Sequence, residues 1–296
     1  MLKPILLSAL ILTANKGFAL CQNPAPAVSL GSISNPRLTE NSGMDFSRVH
    51  RGVFWTHNDA NNDARLFAIG LNGETRAEYL VSGAENVDWE DISLASCLHK
   101  PATDCLYIAD VGNNKGKRQD FNIYVVEEPT ILNDKNLSVA QKITFSAEGK
   151  QNFESFSVNE NNHDFYFISK REKKIGGISV EKAGSTLYSL SRNASSLKEI
   201  AKLDFKSIKL TLSKEDMTVT SGDFDTLSAT LLIGTYGKAY EIKLADVASF
   251  ADKVQVMDMP KLEKSESIAY LKQDGKLSIL TSSEGLNQPI YSISCQ

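Results

Sequence analysis

Trp89-Glu90-Asp91-Ile92-Ser93 opens a strand-like run that ends at Cys97. After a short polar reversal comes Cys105-Leu106-Tyr107-Ile108-Ala109-Asp110-Val111-Gly112-Asn113-Asn114. An acidic residue starts a first strand, the chain turns back, and an aromatic-aliphatic second strand ends in a polar Gly/Asn loop. The plan recurs four more times. Glu40-Asn41-Ser42-Gly43-Met44 precedes Val53-Phe54-Trp55-Thr56-His57-Asn58-Asp59. Glu154-Ser155-Phe156-Ser157-Val158 precedes Phe165-Tyr166-Phe167-Ile168-Ser169-Lys170. Thr220-Ser221-Gly222-Asp223-Phe224 precedes Leu231-Leu232-Ile233-Gly234-Thr235-Tyr236. Glu266-Ser267-Ile268-Ala269-Tyr270 precedes Leu277-Ser278-Ile279-Leu280-Thr281.

The openings are spaced by roughly fifty to sixty-five residues, a period that suits propeller blades. Further short runs rich in β-branched and aromatic residues follow each pair, at 65–71 and 75–81, 122–126 and 141–145, 186–190 and 197–203, and 239–244 and 254–257. Gly, Asn and Asp punctuate them, as strand-and-turn sequences require. The fifth repeat has only one more run, 289–294, while 27–33 belongs to no repeat. The pattern predicts an all-β, five-bladed propeller with four antiparallel strands per blade, its ring closed by the N-terminal strand so that no edge stays open. Six blades are the alternative if 203–217 holds further strands. Short helical turns are expected at 132–140 and 245–251.

Residues 1–19 read as a secretory signal peptide. Lys3 is followed by a mostly apolar run, and Gly17-Phe18-Ala19 offers small residues to a signal peptidase. Residues 20–296 then form one domain, secreted or periplasmic and expected to be monomeric. A lipoprotein anchored through Cys21 is the alternative, with Leu20 large for that processing. No later run is long and apolar enough to span a bilayer as a helix. Taking Lys3 and Lys16 from the 32 Lys and Arg leaves 30 against 36 Asp and Glu. That balance argues against nucleic acid as a partner, since such binding rests on clustered basic residues. The four cysteines suit disulfides in an exported chain. Cys97 and Cys105 flank a hairpin reversal, and Cys21 and Cys295 lie near the two ends.

If the first strand of each blade lines the channel, Glu40, Glu90, Glu154, Thr220 and Glu266 ring one mouth. Converging carboxylates repel one another and either protonate, pair with cations or bind a metal. An oxygen-only donor set suits calcium better than zinc. Hydrogen bonding to neighbouring strand ends is the structural alternative. Around the ring lie His57, Asn58, Asp59, Asp110, Asn113, Asn114, Arg118, Lys170, Arg171, Tyr236 and Glu284, candidates for holding a small polar ligand or a protein surface. Asn and Asp here also suit ordinary turns, and the Arg and Lys residues also suit a solvated face.

The Trp55-Thr56-His57-Asn58-Asp59, Val87-Asp88-Trp89-Glu90-Asp91-Ile92 and Tyr107-Ile108-Ala109-Asp110-Val111-Gly112-Asn113-Asn114 stretches resemble a group of secreted bacterial β-propeller proteins, most without an assigned activity. The resemblance spans essentially the whole mature chain. More remotely, the five ring positions resemble the calcium-dependent apyrases, five-bladed propellers with an axial calcium ion that hydrolyse nucleoside diphosphates. Two classes of function follow. One is an exported binding module with a calcium-binding mouth. The other is a metal-assisted phosphoester or phosphoanhydride hydrolase with Asp59 or Asp110 as base. The chain contains no G-x-S-x-G, H-E-x-x-H or Walker loop, so no complete catalytic constellation supports the second class.

Overall fold

Each repeat folds into a four-stranded antiparallel sheet, and the inner strands contact one another in cyclic order around the axis. The structure, a computed structural model, describes residues 20–133, 135–170, 174–175, 178–179 and 185–295. The expected signal peptide and Arg171 lie outside the described residues. From the axis outward, blade 1 is Asn41–Phe46, Val53–Asn58, Arg65–Gly70 and Thr75–Ser82. Blade 2 is Trp89–Cys97, Lys100–Asp110, Asp120–Glu127 and Gln141–Ser146. Blade 3 is Phe153–Asn159, Asp164–Ser169, Ser185–Leu190 and Lys198–Leu203. Blade 4 is Val219–Asp225, Thr230–Thr235, Lys238–Lys243 and Gln255–Asp258. Blade 5 is Ser265–Gln273, Lys276–Ser283, Pro289–Cys295 and, from the other end of the chain, Val28–Ser32, which pairs antiparallel with Pro289–Cys295.

The fold is a five-bladed propeller, and the six-bladed alternative fails on one segment. Between blades 3 and 4 the chain forms two short 3-10 turns, Phe205–Ser207 and Glu215–Met217, with no added strand among the described residues. The turn expected at 245–251 appears as a 3-10 segment, Leu244–Ser249, running into Phe250–Lys253. In the 132–140 region the described residues instead give a two-residue strand, Leu137–Ser138, parallel to the rim of blade 1.

Burial explains the strand composition. Second strands are covered on both faces by neighbouring blades, so Val53–Asn58 and Thr230–Thr235 are buried throughout. The outer strand Thr75–Ser82 alternates, as a half-exposed strand must. Five apolar clusters fill the five blade interfaces. The largest packs Tyr107, Phe121, Phe153, Phe156, Phe165 and Phe167 between blades 2 and 3. Cys21 lies in the cluster between blades 4 and 5 and is bonded to Cys295; Cys97 is bonded to Cys105. A sulfur in the Cys21–Cys295 bond is not free to carry a lipid, which counts against the anchored alternative.

The channel wall is built in layers. Ser42, Asp91, Ser155, Ser221 and Ser267 occupy equivalent register positions, and Asp45, Ser93, Ser157, Asp223 and Ala269 form the next layer. Several of these side chains accept an N–H from the next inner strand. Asp45 takes Leu94 N–H at 2.6 Å, Asp91 takes Phe156 at 2.9 Å, Ser93 takes Val158 at 3.2 Å and Asp223 takes Tyr270 at 2.8 Å. Inner strands are sheet edges, and an edge N–H without an acceptor is costly. The small polar residues at these positions supply the acceptors.

Candidate carboxylate mouth

A one-residue bulge at the start of four of the five inner strands sets the mouth. In blades 2 to 5 the extra residue is Glu90, Glu154, Thr220 and Glu266. A bulge turns the extra side chain out of the pleat, so one position of the repeat is aimed at the mouth four times. Blade 1 differs. Its bulge lies later, between Ser42 and Asp45, and Glu40 is an exposed residue ahead of the strand. The place that Glu40 was expected to fill is approached instead by Asp59, whose N–H donates to Glu40 O at 2.9 Å.

Asp59 is the hub of the mouth. Ligand atoms of Asp59, Asp88 and Glu90 lie within 4.8 Å of one another, and so do those of Asp59, Glu266 and Glu284. Neither triad includes Glu40 or Glu154. Glu154 forms a 2.7 Å ion pair with Lys170 and accepts a hydrogen bond from Asn152 at 2.9 Å. Thr220 donates its hydroxyl to Ser265 O at 2.7 Å, linking blades 4 and 5. Tyr236 donates to Glu266 Oε1 at 2.8 Å, and Lys264 pairs with Glu284 at 2.7 Å.

Several of the remaining candidates hold the loops. Asn58 Oδ1 accepts the N–H groups of Thr39 and Glu40. Asn113 Oδ1 accepts those of Lys117 and Arg118, while Asn113 Nδ2 donates to Gln151 O. Asn114 accepts from Asn152. Asp110 is fully buried. Its Oδ1 accepts Asp88 N–H and pairs with Arg118, both at 2.9 Å. His57 is fully buried against Trp89 and donates from Nδ1 to Asn58 O at 3.0 Å, since a carbonyl only accepts. Burial pushes its pKa down to about 4, so the ring is neutral. These residues shape the mouth from behind.

Burial is also the main force on the acids at the front. It raises Asp59 to about 7, helped by the charges of Asp88, Glu154 and Glu284. It raises Glu266 to about 9, reinforced by contact with the Glu284 carboxyl group. Glu90 is held well above the usual carboxylate range by burial and then by Glu154 and Asp59. Lys170 stays charged despite burial because Glu154, Tyr236 and Glu90 surround it.

Asp88, 8 % exposed, and Glu90, 3 % exposed, each have an oxygen with no hydrogen-bond partner among the described residues, Asp88 Oδ1 and Glu90 Oε1. A buried polar atom without a partner is rare and calls for a ligand or a role. Gly112 makes room beside them: a Cβ there would lie 2.1 Å from Glu90 Oε1 and 2.6 Å from Asp88 Oδ2. A hard cation fits this set, which is all oxygen and anionic. Asp88 and Asn86 were not singled out from the sequence as site residues. Asp88 sits directly before Trp89-Glu90, which was its available signal. Asn86 holds the backbone of Asp59 through a 2.8 Å bond to its carbonyl, a contact that only the folded loops create.

A cavity of about 630 Å³ opens at the other end of the channel, lined by Asp45, Arg48, Arg51, Asp223, Asp225, Tyr270 and Lys272 among others. Its basic side chains already have partners. Arg48 pairs with Glu160 and Asp104, Arg51 with Asp274, and Lys272 with Asp225. Among the described residues, three of the four buried carboxylate oxygens without a partner, on Asp88, Glu90 and Asp110, lie at the Asp59 mouth, which is therefore the candidate site; the fourth, Glu128 Oε2, belongs to a carboxylate held by Trp55 Nε1. No protein-family model and no curated protein matches this sequence.

Proposed function

We propose that this chain is an exported binding propeller whose Asp59 mouth takes a divalent cation, calcium, and presents it to a small polar ligand or a partner surface. The unpartnered buried oxygens of Asp88 and Glu90, in one triad with Asp59, carry the reading. Two disulfides suit an oxidising compartment. Among the described residues no helix is long and apolar enough to cross a membrane. Asp59, Asp88 and Glu90 are the ligands in this reading, with water completing the six to eight oxygens calcium takes. Once bound, the cation supplies charge compensation and a Lewis-acidic contact for an anionic group. Asn86 and the Asp110–Arg118 pair hold the two flanking loops at the right separation. Calcium should raise the melting temperature and chelator should lower it, with Glu90→Gln blunting both. Binding stabilises by about 2.7 kcal/mol at a hundredfold excess over Kd. Melting indifferent to millimolar calcium and to chelator would remove the cation from the reading.

One observation favours the hydrolase reading: an Asp59 carboxyl near pKa 7 is poised as a general base. A cation in its triad commits that carboxylate as a ligand, however, and the other candidate base, Asp110, is fully buried and held by Arg118. Binding is therefore the preferred reading. Phosphate release from a nucleotide and phosphoester panel, dependent on calcium and abolished in Asp59→Asn, would reverse that preference.

A further inference from the structure

A cavity of about 250 Å³ lies at the outer strands of blade 1, lined by Arg37, Arg65, Glu78, Leu80, Lys135 and Asn136. We propose that it binds a tetrahedral oxyanion, a phosphate group that is free or carried as a small phosphomonoester. Three separate stretches of chain build it. Arg65 opens the third strand of blade 1, opposite Leu80. Arg37 lies in the loop between Val28–Ser32 and blade 1, and Asn35 Oδ1 fixes it there by accepting its backbone N–H at 2.8 Å. Lys135 and Asn136 lead into Leu137–Ser138, which runs beside the rim strand of the same blade. The site is separate from the Asp59 mouth and does not depend on a cation there.

Unspent donors carry the assignment. A guanidinium has five N–H donors and no acceptor. Arg37 Nη1 and Arg65 Nη1 approach one and the same oxygen, Glu78 Oε2, at 3.3 and 3.5 Å, and Arg65 Nη2 stands 3.6 Å from Asp63. All three contacts are long against the roughly 2.7–2.9 Å of a docked charge-assisted pair. The other Glu78 oxygen accepts from Asn35 Nδ2 at 2.8 Å. Asp63 is largely exposed, so water screens its charge. Among the described residues the Lys135 ammonium and the Asn136 amide have no hydrogen-bond or ion-pair partner. Three cations and an amide thus share one carboxylate oxygen, in a chain whose acids outnumber its bases. The Arg65 side chain is only 17 % exposed, so an acceptor inside the cavity satisfies donors that bulk water reaches poorly. A planar carboxylate matches one guanidinium fork. Donors that arrive from three stretches of chain match oxygens that point in several directions, as on a phosphate group.

The test is titration of the folded, disulfide-intact chain with inorganic phosphate and, separately, with methyl phosphate. Chelator is present throughout, and sodium chloride holds the ionic strength constant. Calorimetry reads the affinity, and nitrogen NMR of the arginine side chains reads the place. Saturable binding of one anion per chain is expected, with the Arg65 signal shifted. Tighter binding of methyl phosphate assigns an ester as the ligand, and tighter binding of phosphate assigns the free ion. Arg65→Gln should weaken binding at least tenfold. Glu78→Gln keeps an acceptor for Asn35 and removes the competing charge, so it should tighten binding. Arg37 and Lys135 are exposed, so Arg37→Gln/Lys135→Gln is the variant to use if Arg65→Gln does not fold, with the same tenfold loss expected. Binding that never saturates in the wild type overturns the site. So does an affinity unchanged in the Arg65→Gln or the Arg37→Gln/Lys135→Gln variant.

Discussion

Gly112 shows how one residue conditions the site. Its missing side chain is the space in which the Asp88 and Glu90 carboxylates lie. Gly112→Ala should therefore leave the fold in place and abolish most of the calcium-induced rise in melting temperature, measured against the wild type in calcium and in chelator. An unchanged rise would mean that Asp88 and Glu90 are not the ligands. A second residue-scale prediction concerns pH at the far end of the channel. Burial raises Asp223 to about 6, above the ordinary aspartate range. The folded state then binds that proton more tightly than the unfolded chain does. The contribution from this group is complete below about pH 4 and is lost as pH rises through about 6. Ser93 already accepts a neighbouring N–H from the equivalent position in blade 2, so Asp223→Ser can keep the blade contact without the charge. The variant should show a flatter melting-temperature profile between pH 4 and 6. By carbon NMR, the Asp45 pKa should fall, because Asp223 is one of the charges that raise it. Glu90, Glu154 and Glu266 were readable because they recur at one place in the repeat. Asp88 and Asn86 were not, since their roles arise where loops from different repeats meet.

At the scale of the element, the recurring bulge turns a sequence repeat into a ring of side chains. Four of the five openings were legible because the bulged residue is the one that recurs. Blade 1 was misaligned by matching Glu40 to Glu90. The overlooked signal was Gly43, at φ +66°, in the bulge of that blade; a Cβ there would lie 2.7 Å from Asp91 Cα. Glycine tolerates that backbone conformation and close approach. Asp91 is the fully buried link at this level, accepting the N–H groups of both Ile92 and Phe156 at 2.9 Å. Asp91→Ala strands two buried donors and should cost about 2–6 kcal/mol in denaturant unfolding, at about 1–3 kcal/mol per unsatisfied group. Asp91→Asn retains one acceptor oxygen and should cost less. Equal losses in the two variants would show that the side chain fills space and does not satisfy the strand edge.

Over the whole molecule, the two disulfides constrain the chain on different scales. Cys97–Cys105 spans 8 residues inside one hairpin, and Cys21–Cys295 spans 274 and ties the N-terminal segment to the last strand. In the chain-entropy account a cross-link stabilises by restricting the unfolded ensemble, and the effect grows with the logarithm of the loop. That gives about 2.5 kcal/mol for the short loop and about 5–6 kcal/mol for the long one. The native surroundings act in the same direction. Cys21 is fully buried among Leu232, Met257, Ile268 and Ile279, and Glu241 accepts its N–H at 2.9 Å. Without the bridge, the segment that carries Val28–Ser32 would be held by its ladder to Pro289–Cys295, the Cys21 packing and a few loop hydrogen bonds. Replacing both members of each pair by serine avoids free thiols and mispairing. Cys21→Ser/Cys295→Ser should therefore lose about 3 kcal/mol more than Cys97→Ser/Cys105→Ser in equilibrium denaturation, and hydrogen exchange in blade 5 should rise first. If the two variants lose the same amount and exchange in blade 5 stays protected, the long bridge adds nothing beyond local packing, and the strand ladder alone holds the ends of the chain together.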